Sequence, residues 1–325
     1  MRRPAPSCMP PIVPSIALAS FLALAGAAAG QAAPPAPRPL PKPSLQAAAP
    51  SMAEILAGSQ PGDWRTPDPE NVLYLEMAGG RVVIELAPAF APRHVTNIKL
   101  LARAKYYDGL AFVRSQDNYV VQWGDPSEER ELGAAKARLA AELVRPTVNL
   151  PFAKLPDGDV YAPEVGFSNG LPMAHDPQGE LAWLTHCYGM VGVGRGDEID
   201  SGNGAELYVV IGHSPRHLDR NVTLVGRVLQ GMDLLSVLPR GKGALGFYEK
   251  PEQNVPIVSI RVAADVPEKE RTALEVLRTD TDLWKTVVES RRFRHESWFK
   301  NPIGKIEVCN VPLPVRPRTT EKAPG

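Results

Sequence analysis

The sequence predicts a mostly β fold, in which strands are joined by a short helix and tight turns. Residues 80–86, G-R-V-V-I-E-L, alternate apolar and polar positions, which is typical of a strand with one buried face. Residues 112–125, F-V-R-S-Q-D-N-Y-V-V-Q-W-G-D, contain two further apolar strands around a polar link. Between these regions, residues 91–102 repeat apolar positions at helical spacing after a proline, which predicts a helix.

The amino-terminal segment predicts export followed by a tether. Arg2 and Arg3 precede an uncharged apolar run over residues 16–29, and small residues follow, as in a secretory signal peptide over residues 1–32. An uncleaved membrane anchor is the alternative, although the run is weak for a spanning helix. Residues 33–50 are mostly Ala and Pro with a few basic residues, which predicts an extended linker. The favoured location is periplasmic or secreted, after signal-peptide cleavage and without a stable membrane span.

The overall charge balance points away from strongly charged partners. The chain has 36 Lys and Arg residues against 36 Asp and Glu residues, so neither nucleic acid nor an anionic membrane is suggested as a partner. The 34 prolines predict long irregular connections.

Residues 51–70 predict a short helix and a lead-in to the main domain. Ser51 and Glu54 have the spacing of a capping box, so a helix is expected to begin there. This helix is either a docking element or a helix packed on the core.

Arg114 lies in the apolar strand pair of residues 112–125. A guanidinium keeps its charge and its fixed donors, so on a half-apolar strand it pairs with an acid or faces a polar group of a ligand. Apolar neighbours and Gln122 favour a concave binding site. The alternative is an arginine whose head group reaches out of an ordinary strand into solvent.

A strand, an Ala-Pro helix, a Tyr-Asp-Gly turn, an F-x-R strand and a V-Q-x-G-D strand follow one another in this sequence. This order resembles that of the cyclophilins, the peptidyl-prolyl cis-trans isomerases. The resemblance covers roughly residues 71–264 and implies a closed eight-stranded antiparallel barrel capped by two helices. Further matching segments follow in the family's order: 189–194 G-M-V-G-V-G, 203–209 N-G-A-E-L-Y-V, 218–219 L-D, 226–228 G-R-V and 231–233 G-M-D.

The resemblance also implies a set of site residues. Arg114 takes the place of the family's catalytic arginine and Gln122 that of its glutamine. Four positions depart from the family: Glu206 replaces a glutamine, His217 a tryptophan or similar ring, Gly194 an alanine and Val222 a histidine or tyrosine. These departures concern substrate preference more than chemistry. The substrate-binding residues implied by the resemblance are Phe112, Tyr119, Val120, Gly194, Glu206, Tyr208, His217, Leu218 and Val222.

Two segments exceed the compact form of the family. An insertion over about residues 145–185 is proline-rich and predicts either a lid or substrate-docking loop, or a surface excursion packed on itself. Residues 265–325 form an extension, and apolar residues at roughly helical intervals over 268–292 predict a helical tail that folds back onto the isomerase domain.

Two cysteines remain once the signal peptide is removed, Cys187 and Cys309. An oxidising compartment would allow them to pair, which would staple the tail across the barrel close to the site. Two unrelated thiols are the alternative, with Cys187 buried as a small apolar residue.

The function implied by the resemblance is acceleration of X-Pro bond rotation in proline-containing unfolded or exported polypeptides. This chemistry needs no cofactor and no metal, since no acid, base or nucleophile has to react. A cyclophilin-like groove that holds proline segments as a chaperone, with little or no catalysis, is the alternative. The sequence leaves the oligomeric state open.

Overall fold

Residues 50–318 are described by the structure, which is a computed structural model. The predicted signal peptide and the linker up to residue 49 lie outside the described residues. Among the helices of residues 50–318, none is both long and apolar enough to cross a membrane.

The described chain contains four α-helices and sixteen strands. The helices are α1 (Met52–Ala57), α2 (Pro92–Arg103), α3 (Met232–Ser236) and α4 (Asp282–Arg292). The strands are β1 (Trp64–Arg65), β2 (Val72–Met77), β3 (Gly80–Leu86), β4 (Ala111–Ser115), β5 (Val120–Gly124), β6 (Arg145–Pro146), β7 (Ala153–Lys154), β8 (Glu164–Ser168), β9 (Leu171–Asp176), β10 (Leu181–Leu184), β11 (Met190–Val193), β12 (Leu207–Val210), β13 (Leu224–Gln230), β14 (Val255–Val262), β15 (Leu274–Leu277) and β16 (Val315–Pro317).

Eight strands close into an antiparallel barrel, which confirms the predicted fold class. The strand order is β11-β12-β5-β4-β14-β2-β3-β13, and β13 pairs with β11 to close the ring. Val82 and Ile84 of β3 are fully buried in the barrel core. Val83 and Glu85 on the other face are buried as well, so the prediction of a strand with only one buried face is wrong. Closure leaves the barrel without unpaired edge strands, so its backbone groups are satisfied within the ring.

Two helices pack their apolar sides on the barrel core. In α2 the buried residues Val95, Ile98 and Leu101 follow the predicted helical spacing, and Pro92 occupies the first turn. The shorter α3 contributes Leu235 to the same core. Both predicted helices are therefore present.

The insertion forms a second sheet of five strands in the order β6-β10-β9-β8-β7. Its apolar side chains, including Phe167 and Met173, are buried in a core separate from that of the barrel. Among the described residues, those of the insertion contribute nothing to the lining of the cleft described below. The segment is therefore a folded sheet that does not line the cleft, and its role as a lid or substrate-docking loop stays a prediction.

The carboxy-terminal extension is only partly helical. The predicted helix over residues 268–292 is correct for α4, which begins after Thr281, whose side chain accepts a hydrogen bond from the Trp284 N–H. The prediction is wrong for β15, because that segment is the central strand between β1 and β16. Backbone pairing with the lead-in and the tail therefore decides the conformation of residues 274–277.

The inserted sheet, α1, α4 and the tail share one hydrophobic core, and we call these elements the appended layer. Ile55 of α1 lies in this core with Trp284 and Val287 of α4. The capping box at Ser51 and Glu54 is formed, so the helix it begins is packed on a core. Cys187, three residues before β11, forms a disulfide with Cys309 of the tail. The appended layer is thus bonded covalently to a segment that leads into the barrel.

Candidate active site

Register places the two predicted catalytic residues side by side. Arg114 of β4 lies directly opposite Gln122 of β5, and Gln122 lies opposite Tyr208 of β12. Tyr208 in turn lies opposite Gly192 of β11. Directly opposed residues of antiparallel strands share a face of the sheet, so these four form one row across the outside of the barrel.

A cleft of about 540 Å³ lies over this row. That size is within the range of ordinary ligand sites. Its lining combines an apolar wall with charged groups of both signs. The lining residues are Arg114, Tyr119, Val120, Gln122, Glu128, Val193, Gly194, Arg195, Gly196, Asp197, Glu206, Tyr208, Leu218, Val222, Leu245 and Phe247.

Three neutral oxygen atoms hold the Arg114 guanidinium. Nε donates to the Leu245 carbonyl at 2.7 Å, Nη1 donates to Gln122 Oε1 at 3.0 Å, and Nη2 donates to Gln116 Oε1. Burial lowers the pKa of Arg114, although a guanidinium remains charged at neutral pH. The charge at the cleft is therefore oriented without being neutralised by a bonded carboxylate among residues 50–318.

A carboxylate orients Gln122 from the other side. Gln122 Nε2 donates to Glu206 Oε2 at 2.9 Å, while its Oε1 accepts from Arg114. Because a carboxylate only accepts, this contact sets which end of the amide faces Arg114. Burial raises the pKa of Glu206, and the negative charges of Glu128 and Asp125 raise it further.

The apolar wall is a small cluster on the outside of the barrel. Val120 and Tyr208 are buried together with Val210, and Tyr119 and Val222 pack against them. Leu218 adds a further apolar side chain to the lining from the turn Arg216–Leu218. This arrangement places five of the predicted substrate-binding residues in one wall: Tyr119, Val120, Tyr208, Leu218 and Val222.

Gly194 is small for a packing reason. A Cβ atom at this position would lie 2.9 Å from both Cβ and Oε2 of Glu206, so a side chain here would displace the carboxylate. His217 is exposed and stacks on Tyr119, with ring centroids 6.4 Å apart and planes 6° from parallel. It lies beside the wall and does not line the cleft.

The sequence prediction fails at Phe112. This side chain is fully buried in the barrel core, with its ring 5.3 Å from that of Trp123, and does not line the cleft. Its assignment to substrate binding is wrong, because a bulge in the pairing of β4 and β5 between Phe112 and Arg114 sends the two side chains to opposite sides.

A loop missed by sequence reasoning completes the cleft. Leu245 supplies the carbonyl bound by Arg114, and the Phe247 ring lies 5.4 Å from the guanidinium. Leu245 has a φ of 54°, which turns the chain sharply at this point. The segment G-K-G-A-L-G-F carries a turn signal in its three glycines, but nothing in it points to Arg114.

A family model agrees with this geometry. The model described as cyclophilin type peptidyl-prolyl cis-trans isomerase/CLD matches residues 72–262, which is more than half of the chain. The chain belongs to the cyclophilin family. It is therefore a peptidyl-prolyl cis-trans isomerase, and the match spans all eight barrel strands together with the inserted sheet.

Curated relatives of this cyclophilin have low sequence identity to it and are named for the same isomerase family. A probable peptidyl-prolyl cis-trans isomerase of Brucella suis is 28% identical over 200 residues, covering 61% of this chain and 85% of that protein. Human peptidyl-prolyl cis-trans isomerase-like 1 is 25% identical over 212 residues, covering 65% of this chain and 99% of that protein.

A solved structure resembles this cyclophilin beyond its barrel. The crystal structure of cyclophilin AquaCyp293 from Hirschia baltica has a TM-score of 0.64 and 26% sequence identity, and it covers 82% of this chain and 97% of that chain. That coverage exceeds the share of the chain matched by the family model. The likeness therefore includes residues of the appended layer.

Proposed function

We propose that Arg114 drives the isomerisation by stabilising the twisted X-Pro amide, and that the substrates are proline-containing segments of exported polypeptides. The observation that carries the first part is the Arg114 guanidinium, which is held in place by neutral acceptors beside an apolar wall.

The chemistry requires only differential binding. Amide resonance opposes rotation with a barrier of about 18–20 kcal/mol, and the uncatalysed X-Pro bond turns over in tens to hundreds of seconds. In the twisted state the proline nitrogen loses conjugation and becomes a better hydrogen-bond acceptor. A fixed cationic donor therefore stabilises that state more than the planar one.

The hydrogen bonds of Arg114 leave donors for a substrate. A guanidinium has five N–H groups, and three of them donate to Leu245, Gln122 and Gln116, so two remain without an acceptor among residues 50–318. The three bonds limit the motion of the side chain, so little entropy is lost when it meets the substrate.

The apolar wall supplies the site for the proline ring. Val120, Tyr208 and Val222 form a surface with few polar atoms next to Arg114. A proline ring has no donor and fits such a surface, while its nitrogen stays within reach of the charged side of the cleft.

Two features of the chain support export. The amino-terminal residues 1–32 have the pattern of a signal peptide. The disulfide between Cys187 and Cys309 is of a kind that persists in oxidising compartments. We infer that the enzyme works in the periplasm or outside the cell.

A proline-exchange measurement on an Ala-Pro model peptide tests the arginine mechanism. We expect Arg114→Ala to lower kcat/KM at least about 100-fold, as for loss of one transition-state donor, with an unchanged unfolding midpoint. Arg278→Ala, which removes an exposed arginine from the appended layer, is the matched control and should behave as the parent. Peptide binding by the unmodified protein without faster exchange would instead favour the chaperone alternative.

Export is tested separately on the full chain expressed in a Gram-negative host. We expect the protein in the periplasmic fraction, with a mass that corresponds to cleavage near residue 32. Cytoplasmic protein with an intact amino terminus would contradict export and leave the arginine mechanism untouched.

A further inference from the structure

We propose that His186 is a positioning residue for the isomerase reaction, which fixes the Tyr208 ring in the wall of the cleft and ties that wall to the appended layer. The inference rests on the proposed function, because it takes the wall around Tyr208 to be the surface that receives proline.

The Tyr208 hydroxyl occupies a space that the opposite strand leaves open. Tyr208 lies directly opposite Gly192, and a Cβ atom at Gly192 would lie 2.2 Å from the hydroxyl oxygen. Any side chain at position 192 would therefore displace the tyrosine ring from its present position. The absence of a side chain leaves room for the hydroxyl, which lies 2.8 Å from His186 Nε2.

The donor and acceptor in this contact follow from the other side of the imidazole. His186 Nδ1 lies 2.9 Å from Asp219 Oδ1, and the His186 backbone N–H donates to the same oxygen at 2.9 Å. A carboxylate cannot donate, so Nδ1 carries the proton and Nε2 accepts from the Tyr208 hydroxyl. Burial lowers the pKa of His186, which keeps the ring neutral near pH 7.

Asp219 is itself fixed by a buried arginine. Arg216 Nε donates to Asp219 Oδ2 at 2.6 Å, and Arg216 Nη1 and Nη2 donate to the two carboxylate oxygens of Asp159 at 3.0 Å and 2.9 Å. Nη1 also reaches Glu307 Oε1 at 3.4 Å. Asp159 belongs to the insertion and Glu307 to the tail. Two residues of the appended layer therefore bind Arg216, the last residue in the series of contacts that begins at Tyr208.

The series from Tyr208 through His186, Asp219 and Arg216 is continuous and buried. His186 has no exposed surface, and Arg216 is 3% exposed. Cys187, the next residue after His186, is held by its disulfide to Cys309. The polar groups therefore have one satisfied arrangement, and departure from it would leave buried groups unpaired.

The consequence for catalysis is a wall of defined shape. Ring orientation at Tyr208 sets the depth of the apolar surface next to Arg114, and small misplacements of a binding surface lower productive substrate binding. Loss of the hydroxyl bond should therefore weaken substrate binding and raise KM, while the Arg114 donors that act on the twisted state remain.

The test uses three variants of the full chain in the proline-exchange assay, with KM and kcat determined separately. Tyr208→Phe should raise KM roughly fivefold, the equivalent of one net hydrogen bond, and leave kcat nearly unchanged. His186→Leu should raise KM at least as much. His186→Gln keeps an amide acceptor near the Nε2 position and should recover most of the parental KM.

Tyr74→Phe is the matched control, because it removes a buried tyrosine hydroxyl that accepts from the Thr272 N–H, away from the cleft. Its KM should equal that of the parent. The proposal is overturned if Tyr208→Phe, and His186→Leu where it folds, keep the parental KM and lose only stability as Tyr74→Phe does.

Failure of the proposed function has a different signature in the same experiment. A fully active Arg114→Ala would refute the arginine mechanism, whatever the KM values of the Tyr208 and His186 variants. A raised KM in Tyr208→Phe together with a lost kcat in Arg114→Ala supports both proposals.

Discussion

The cleft contains a partly buried arginine and the border of the appended layer contains a fully buried one, and the two differ in the groups that accept their hydrogen bonds. Arg114 in the cleft donates to a backbone carbonyl and two side-chain amides. Arg216, at the border of the appended layer, donates to the carboxylates of Asp159, Asp219 and Glu307.

This difference separates an arginine that can act on a substrate from arginines that stabilise the fold. A guanidinium matched by carboxylates has little charge left to offer a ligand, whereas neutral acceptors orient the group and leave its field directed at the cleft. In the appended layer, Arg292 follows the Arg216 pattern, with contacts to Asp157 and Glu289 at 2.6 Å. We therefore expect variants in the layer to affect stability first and variants in the cleft to affect rate first.

The disulfide should give the largest change in stability. Cys187 and Cys309 are 122 residues apart in sequence, and loop closure of this length contributes up to about 4–5 kcal/mol in the chain-entropy treatment. The double variant Cys187→Ser/Cys309→Ser should unfold at clearly lower urea concentration than the oxidised parent.

Mass spectrometry of alkylated, non-reduced protein from an oxidising compartment provides the control for this prediction. We expect no free thiol at Cys187 or Cys309. Two alkylated thiols in active, stable protein would show that the mature enzyme does not contain this disulfide.

Arg216→Met should give the next largest change. It leaves Asp159 and Asp219 buried without their cation, and loss of one partner from such a pair costs about 3–5 kcal/mol. Urea unfolding measures the loss. A parental midpoint would show that the charges of the appended layer are not what holds it to the barrel.

Glu206→Gln should give the smallest effect of these variants, and it tests whether the Glu206 carboxylate orients Gln122. As pH falls through the raised pKa of Glu206, its carboxyl becomes protonated and stops fixing the Gln122 amide. We expect kcat/KM of the parent to fall by roughly fivefold as the pH is lowered through this pKa. The kcat/KM of Glu206→Gln should show no such fall. If Glu206→Gln has the same pH dependence of kcat/KM as the parent, Glu206 does not orient Gln122.

The same residue also predicts a direction for stability. A folded-state pKa above the usual 4.5 of a glutamate favours the folded state below pH 4.5, and this contribution is lost as pH rises through the folded pKa. Glu206→Gln should therefore be at least as stable as the parent at pH 7, as judged by urea unfolding.

The barrel was predictable from the sequence because its segments carry local signals in a recognisable order. Helical spacing in α2 and the strand pair around Arg114 agree with their final positions, and β3 forms at the predicted residues although both of its faces are buried. The pairing of Arg114 with Gln122 follows from the same order, since the link between their strands is short. Phe112 could not be placed, because the bulge beside it is a feature of pairing rather than of pattern.

The appended layer could not be predicted to the same degree. Its strands include prolines such as Pro146 and Pro172, which read as irregular connections in the sequence. Leu274 and Leu277 fit a helix by spacing, yet they form a strand because β1 and β16 pair on either side. The carbonyl of Leu245 at Arg114 and the contacts of His186 depend on residues distant in sequence, which no local pattern reports.

The proline-exchange rate of Arg114→Lys, measured by NMR at saturating enzyme on an Ala-Pro peptide, separates the effect of the planar guanidinium from that of positive charge alone. Lysine keeps the positive charge but loses the planar donors held by Leu245, Gln122 and Gln116. We expect the exchange rate to fall nearly as far as in Arg114→Ala, while the unfolding midpoint stays at the parental value. Parental exchange in Arg114→Lys would show that charge alone suffices, and parental exchange in both variants would show that Arg114 is not the catalytic group.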